Sequence, residues 1–128
     1  MRKSVDIGKD GETAAVAYIK NKGYKILKQN YHSRFGEIDI VAEKENFIVF
    51  IEVKTRQVNT KFIAFEAVDT FKQKKIIKTA MIYLSENNIT LQPRFDVIAV
   101  LFKENSGRIE EINHIKNAFD GVDFFETF

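Results

Sequence analysis

The stretch from Gly36 to Arg56 constrains this chain more than any other. β-Branched and aromatic residues dominate both of its halves, and polar Lys44-Glu45-Asn46 interrupts them, a pattern that predicts two strands joined by a tight turn. Strand alternation puts Glu37, Asp39 and Val41 on one side of the first strand and Ile38, Ile40 and Ala42 on the other. In the second strand Ile48, Phe50, Glu52 and Lys54 share a side, opposite Phe47, Val49, Ile51 and Val53. A two-residue loop with Glu45 and Asn46 at its tip sets Lys44 against Phe47, hence Asp39 against Glu52 and Glu37 against Lys54. Opposed residues of an antiparallel pair project to the same face with Cβ atoms roughly 4.5 to 5.5 Å apart. A three-residue loop would instead send Asp39 and Glu52 to opposite faces.

Two carboxylates about 5 Å apart repel by roughly 3 kcal/mol at an effective dielectric of about 20, so their convergence calls for a cation. Lys54 is one candidate, and a hard divalent ion held by a few carboxylate oxygens and waters is another. An ordinary strand pair with a solvated charged face, Lys54 paired to a carboxylate, fits the spacing as well.

With 128 residues and 45% hydrophobic content, the chain is long enough for one domain with a real core. We place that core at about residues 8–115 and a tail at 116–128. The absence of cysteine excludes disulfides, zinc–thiolate clusters and a Cys nucleophile, and fits a reducing compartment. Met1-Arg2-Lys3-Ser4 is basic but leads into no apolar signal-peptide core, and no run reaches the length of a membrane span. The expectation is a soluble, cytoplasmic protein. A net charge of +2 and a pI of about 8.8 permit a nucleic-acid partner without requiring one.

Before the hairpin, Ala14, Ala15, Ala17, Tyr18 and Ile19 predict a helix from Lys9 to Lys22, ended by Gly23. Glu12 lies in its first turn, where an acid suits the helix dipole. Tyr24 to Gln29 reads as a strand, and Asn30 to Phe35 as a polar connection. After the hairpin, Phe62, Ile63 and Phe65 would anchor a surface loop, and Asp69 would cap a second helix from Thr70 to Glu86. Its buried stripe is expected at Ile76, Ile77, Ala80, Met81 and Leu84, with Asn87-Asn88 closing it and Phe71 in the core. Lys72, Lys74, Lys75 and Lys78 form either a solvated face or a phosphate-tracking patch. Arg94 to Phe102, apolar on both faces, reads as a central strand, with Asp96 an end cap or a further site acid. A turn at Asn105-Ser106-Gly107 leads to a short strand from Arg108 to Ile112. His114 has no paired ligand spacing and is expected to be structural, and the Phe-rich tail would dock on the body or bind a partner. The order helix, strand, strand, strand, helix, strand, strand predicts an α/β fold with a mixed central sheet flanked by helices.

This order, with Asp39 followed by Glu52-Val53-Lys54, resembles the core of restriction-endonuclease-like nucleases, whose motif is Asp, a gap, then Asp/Glu-x-Lys. More closely, the chain resembles the YraN-like family of small bacterial proteins, regarded as distant relatives of archaeal Holliday-junction resolvases. The matching blocks are Gly8, Gly11-Glu12, Ala15, Asn30, Gly36 to Ala42, Phe50 to Arg56, Glu66-Ala67-Val68, Lys72 to Ile76, Tyr83-Leu84 and Arg94 to Val97. His32-Ser33 and Phe62 to Phe65 depart from the family's usual pattern.

The resemblance implies a restriction-endonuclease-like core (αβββαβ) and metal-dependent hydrolysis of DNA phosphodiesters, branched or structured substrates included. It implies Mg²⁺ or Mn²⁺ held by Asp39, Glu52 and the Val53 carbonyl, with Glu12 or Glu37 in support and Lys54 acting on water or phosphate. Lys72, Gln73, Lys74, Lys75, Lys78 and Arg56 would contact nucleic acid. The competing expectation is a binding module on the same fold that turns over nothing; a weaker third is an assembly role for the tail. A homodimer would suit double-strand cutting, though no residue demands it.

Overall fold

The computed structural model describes residues 4–58, 70–104 and 106–120, with side chains from residue 8 onward. The elements are α1 (Ser4–Asn21), β1 (Lys25–His32), β2 (Glu37–Lys44), β3 (Phe47–Gln57), α2 (Thr70–Glu86), β4 (Gln92–Phe102) and β5 (Ile109–Phe119). The strands form one sheet in the order β1-β2-β3-β4-β5, antiparallel except for the parallel pair β3–β4. A parallel neighbour requires a crossover, and the chain from β3 to β4 passes through α2. The result is a mixed α/β fold with a five-stranded sheet and, among the described residues, two helices.

The β2–β3 hairpin has the expected two-residue loop: Lys44 pairs with Phe47, and the register runs on to Ile40 against Ile51. Glu45 takes a positive φ of 56° at the loop, as primed hairpin turns demand. β3 alternates as predicted. Val49 and Ile51 join Ala15, Val16 and Ile19 of α1, whereas Ile48 and Phe50 join Ile76, Ile77, Ala80 and Tyr83 of α2. In β2 the expected common face of Ile38, Ile40 and Ala42 breaks. Ile40 and Ala42 pack towards α1, but Ile38 packs with Val41 in the α2 cluster. The break falls at Asp39, beyond the last recorded β2–β3 pair.

Both helices end as their sequences predict. Gly23, at φ 91°, donates to Lys20 O while Tyr24 N donates to Ile19 O, a Schellman closure. Asn88, at φ 51°, repeats this with Ser85 O, and Ile89 N reaches Leu84 O. α1 begins at Ser4 rather than Lys9, so Gly8 and Gly11 are inside a helix. A Cβ on Gly11 would stand 2.3 Å from Thr55 Oγ1, so glycine there is what lets α1 lie close on β3. Ala17 is exposed rather than part of the stripe, and α2 buries Thr79 and Tyr83 besides Ile76, Ile77 and Ala80, leaving Met81 and Leu84 partly covered.

β4 is central and buried on both faces, but β5 runs to Phe119, far beyond the expected Ile112. The extension depends on Asp96. Between Phe95↔Phe119 and Val97↔Ile115 the β5 backbone bulges, Asn117 taking φ 52° and donating its N–H to Asp96 Oδ1 at 2.9 Å. Asp96 is thus no end cap: it lies inside β4, and its carboxyl is taken up by a network across the sheet. Arg94 clasps it through two bonds of 2.9 and 2.8 Å, and His114 Nε2 lies 2.7 Å from its Oδ2. Arg94 also bonds Tyr24 Oη at 2.6 Å, and the His114 ring meets Tyr18 and Tyr24. These bonds outweigh the desolvation of a 1% exposed carboxyl and hold it below its ordinary pKa. The structural role expected for His114 is the one observed. Phe62, Ile63, Phe65, Glu66 to Val68, Asp69 and the Phe-rich end of the tail lie outside the described residues.

Candidate functional site

β2 and β3 part where their acids begin. Val53 N–H, on the next residue after Glu52, is taken by Asp39 Oδ2 at 2.8 Å. The carboxylate therefore stands in for a ladder carbonyl at the mouth of the hairpin, which fixes its direction. Burial pushes the Asp39 carboxyl from 3.8 up to about 7, and repulsion from Glu52 adds to the rise. The Val53 bond acts against this, while Glu12 and Glu37 contribute further repulsion. Four acids from α1, β2 and β3 thus act on one another.

Glu12 is carried there by the close approach of Gly11 to Thr55. Burial raises its pKa, a side-chain hydrogen bond with Asn30 lowers it, and Glu37 raises it. Asn30 itself sits in β1 at φ 53°, a left-handed conformation that Asn tolerates. It is a site neighbour that sequence reasoning did not assign a role. Its signal was its place among the blocks of the family resemblance; β1 runs on to His32, so Asn30 lies in the strand rather than in the polar connection expected there. The β2–β3 pairing ends at Ile40 and Ile51, short of the expected Asp39–Glu52 and Glu37–Lys54 positions; on its β1 side Glu37 faces His32, whose Nδ1 lies 3.8 Å from Glu37 Oε2. It reaches the site through charge.

On β3, Glu52 is largely buried, its side chain 12% exposed, and its Oε1 holds the Lys72 ammonium at 2.6 Å. Lys72 comes from the first turn of α2, so the expected phosphate-tracking lysine lies at the acids themselves. Gln73 follows it, partly buried; Lys74 and Lys75 are exposed and Lys78 is partly buried. Lys54, two residues after Glu52 and so on the same face, is partly buried as well. Arg56 donates to its neighbour's carbonyl, Thr55 O, at 2.8 Å. Phe71, expected in the core, is 70% exposed.

The donor set suits a small hard cation. Asp39 is held on the Val53 N–H and repelled by Glu52, and burial together with that repulsion raises its carboxyl, a penalty on the ionised pair that such a cation would relieve. Among the described residues no three His, Asp or Glu side chains gather closely enough to hold an ion by themselves. An ion here would rest on Asp39 and Glu52, with the Val53 carbonyl and waters completing the shell, a division that Mg²⁺ favours. Glu12, bonded with Asn30, and Glu37, beside His32, supply charge around it.

No helix among the described residues is long and apolar enough to cross a membrane. Residues 11–100 match the model of "Uncharacterised protein family UPF0102". A UPF0102 protein of Caldanaerobacter subterraneus is 46% identical over 114 residues, 88% of this chain and 93% of the relative. One from Persephonella marina is also 46% identical over 114 residues, covering 88% and 92%. One from Clostridium botulinum is 48% identical over 116 residues, covering 89% and 94%. The matched segment takes in Glu12, the whole β2–β3 hairpin, α2 and Asp96, all the blocks that carried the YraN-like resemblance but Gly8, and the chain belongs to family UPF0102.

Proposed function

We infer that this protein is a metal-dependent nuclease hydrolysing phosphodiester bonds in DNA, built on a restriction-endonuclease-like core. One observation carries the reading: at the mouth of the β2–β3 hairpin Asp39 is fixed by the Val53 N–H and raised to about 7 beside Glu52. Strained, partly buried acid pairs of this kind are more often functional than structural. The helix, three strands, helix, strand order and the Glu52-Val53-Lys54 spacing support it.

Asp39, Glu52 and the Val53 carbonyl would hold Mg²⁺ or Mn²⁺. Such an ion, when bound, supplies Lewis-acid chemistry, offsetting charge on phosphate oxygens and making water more acidic. Asp39, its carboxylate fixed on the Val53 N–H, and Glu52 would be the groups that hold it. Lys54, on the Glu52 face, orients the attacking water or offsets charge that develops on the phosphate. Lys72 contacts phosphate once its partner Glu52 is engaged elsewhere. A panel of linear, branched and single-stranded DNA and RNA, incubated with Mg²⁺ or Mn²⁺, tests the reading. Cleavage lost in Glu52→Ala and Asp39→Ala at unchanged fold is the expected result, and cleavage surviving either substitution overturns it.

A second reading draws on the Lys72–Glu52 ion pair, which neutralises Glu52 without any ion. In it the protein holds nucleic acid through α2 and cuts nothing. Equal binding with and without Mg²⁺, and no cleavage on any substrate, would favour that reading.

A further inference from the structure

We propose that the outer face of α2 and the β1–β2 loop form a stacking platform for unpaired nucleotides, so that the partner of this site is nucleic acid with base faces outside a duplex. The proposal rests on the nucleic-acid reading above and narrows it.

Phe71 carries the argument. It lies one position before Lys72, which reaches Glu52, and it is 70% exposed. One exposed ring alone is ordinary, but this one is grouped with lysines and, through Lys78, with the Phe35 ring, which makes a patch of it. Phe71, Lys75 and Lys78 recur at i, i+4 and i+7 and so share one helix face, turned away from Ile76, Ile77 and Ala80. The Lys75 ammonium stands 4.5 Å from the Phe71 ring centre. Beside it, the Phe35 ring carries the Arg34 guanidinium at 4.9 Å and the Lys78 ammonium at 5.1 Å.

The two aromatic–cation groups belong to one surface because the loop is tied to the helix. Ser33 Oγ and Thr79 Oγ1 lie 2.8 Å apart, and Thr79 Oγ1 donates to Lys75 O at 2.9 Å. Ser33 Oγ also accepts the Phe35 N–H at 3.0 Å, which fixes the loop that presents the Phe35 ring. From Phe35 and Lys78, through Lys75 and Phe71, to Lys72 on Glu52, the two rings are interleaved with cations up to the acid pair.

Lysines alone would track the phosphates of any nucleic acid. Rings add binding only where a base offers its face, as in a single strand, a fork or a branch, because stacking within a duplex hides those faces. The interleaving therefore selects polymers that present phosphate and open base together.

Fluorescence anisotropy on the full chain tests this at fixed salt with Ca²⁺ in place of Mg²⁺, using a blunt duplex, a single strand and a splayed fork of equal length. Wild type should bind fork and single strand more tightly than duplex. Phe71→Ala should weaken fork and single-strand binding by about ten-fold and leave duplex binding within about two-fold, with Phe71→Tyr restoring it. Lys74→Ala should weaken all three alike, which separates charge from stacking. Equal losses on all three probes in Phe71→Ala, no loss on any, or a wild type that binds none of them overturns the platform. Failure of the cleavage reading is distinct: Phe71-dependent binding of the fork with no Mg²⁺-dependent cutting of it leaves the platform standing and removes the nuclease.

Discussion

The Lys72 ammonium lies 2.6 Å from Glu52 Oε1, so the first turn of α2 is joined to the middle of β3 by a cation set against the acid that repels Asp39. Lys72 is half-exposed and Glu52 nearly covered, so the pair is partly screened on one side only. Replacing Lys72 by Ala should cost the metal-free protein about 0.5–1 kcal/mol, a discount appropriate to an exposed partner. The same change removes a competitor for Glu52, and Mg²⁺ should then raise the melting temperature more than it does in wild type. Paired thermal melts with and without Mg²⁺ check both.

Asp39 makes the metal-free protein sensitive to pH in an unusual direction. Its folded pKa of about 7 lies above the 3.8 of the unfolded chain, so the folded state binds the extra proton between those values. Stability contributed by this group is complete below about pH 4 and falls as pH rises towards 7. Asp39→Asn keeps an oxygen for Val53 N–H but cannot ionise, and should stabilise the protein by up to about 4 kcal/mol at pH 8 and by almost nothing at pH 4. Urea titrations in a chelator at the two pH values measure the difference.

Asp96 works the other way. Its lowered pKa stabilises the fold above about 3.8, and that contribution fades as pH falls further. Asp96→Ala leaves Arg94 and His114 without their shared carboxylate in a nearly closed site, and should cost about 3–5 kcal/mol. Chemical denaturation reads the loss, and hydrogen exchange at Asn117 should rise with it.

Gly11→Ala should push α1 away from β3, since the new methyl meets Thr55 Oγ1. We expect a cost of about 1–3 kcal/mol, partly restored by Thr55→Ala on the same background. Denaturation of the single and double variants tests the pairing.

The hairpin was legible because two short-range signals agreed, the polar Lys44-Glu45-Asn46 interruption and the alternation of β3; its register was legible only up to the length of the loop, and the two-residue loop sets Lys44 against Phe47. The Asp39 bond to Val53 was not, because it arises where pairing stops and a side chain replaces a carbonyl. Phe71 could have been placed outside. Counting back from Ile76 and Ile77 by helical turns lands on Lys72 and Gln73, which leaves Phe71 on the lysine face. The Asp96 network joins Tyr24, Arg94, His114 and Asn117 across three segments of chain, and no local pattern announces such pairing. The same long-range clasp explains why β5 outran its apolar pattern.

The account stands on Asp39 and Glu52 acting together on one divalent ion, and isothermal titration of Mn²⁺ into metal-free protein tests this without reference to any substrate. Wild type should bind one ion and release protons at pH 6.5, as Asp39 gives up its elevated proton. Asp39→Asn and Glu52→Gln should each weaken binding at least about ten-fold, and Asp39→Asn should abolish the proton release. Unchanged Mn²⁺ affinity in both variants would contradict it.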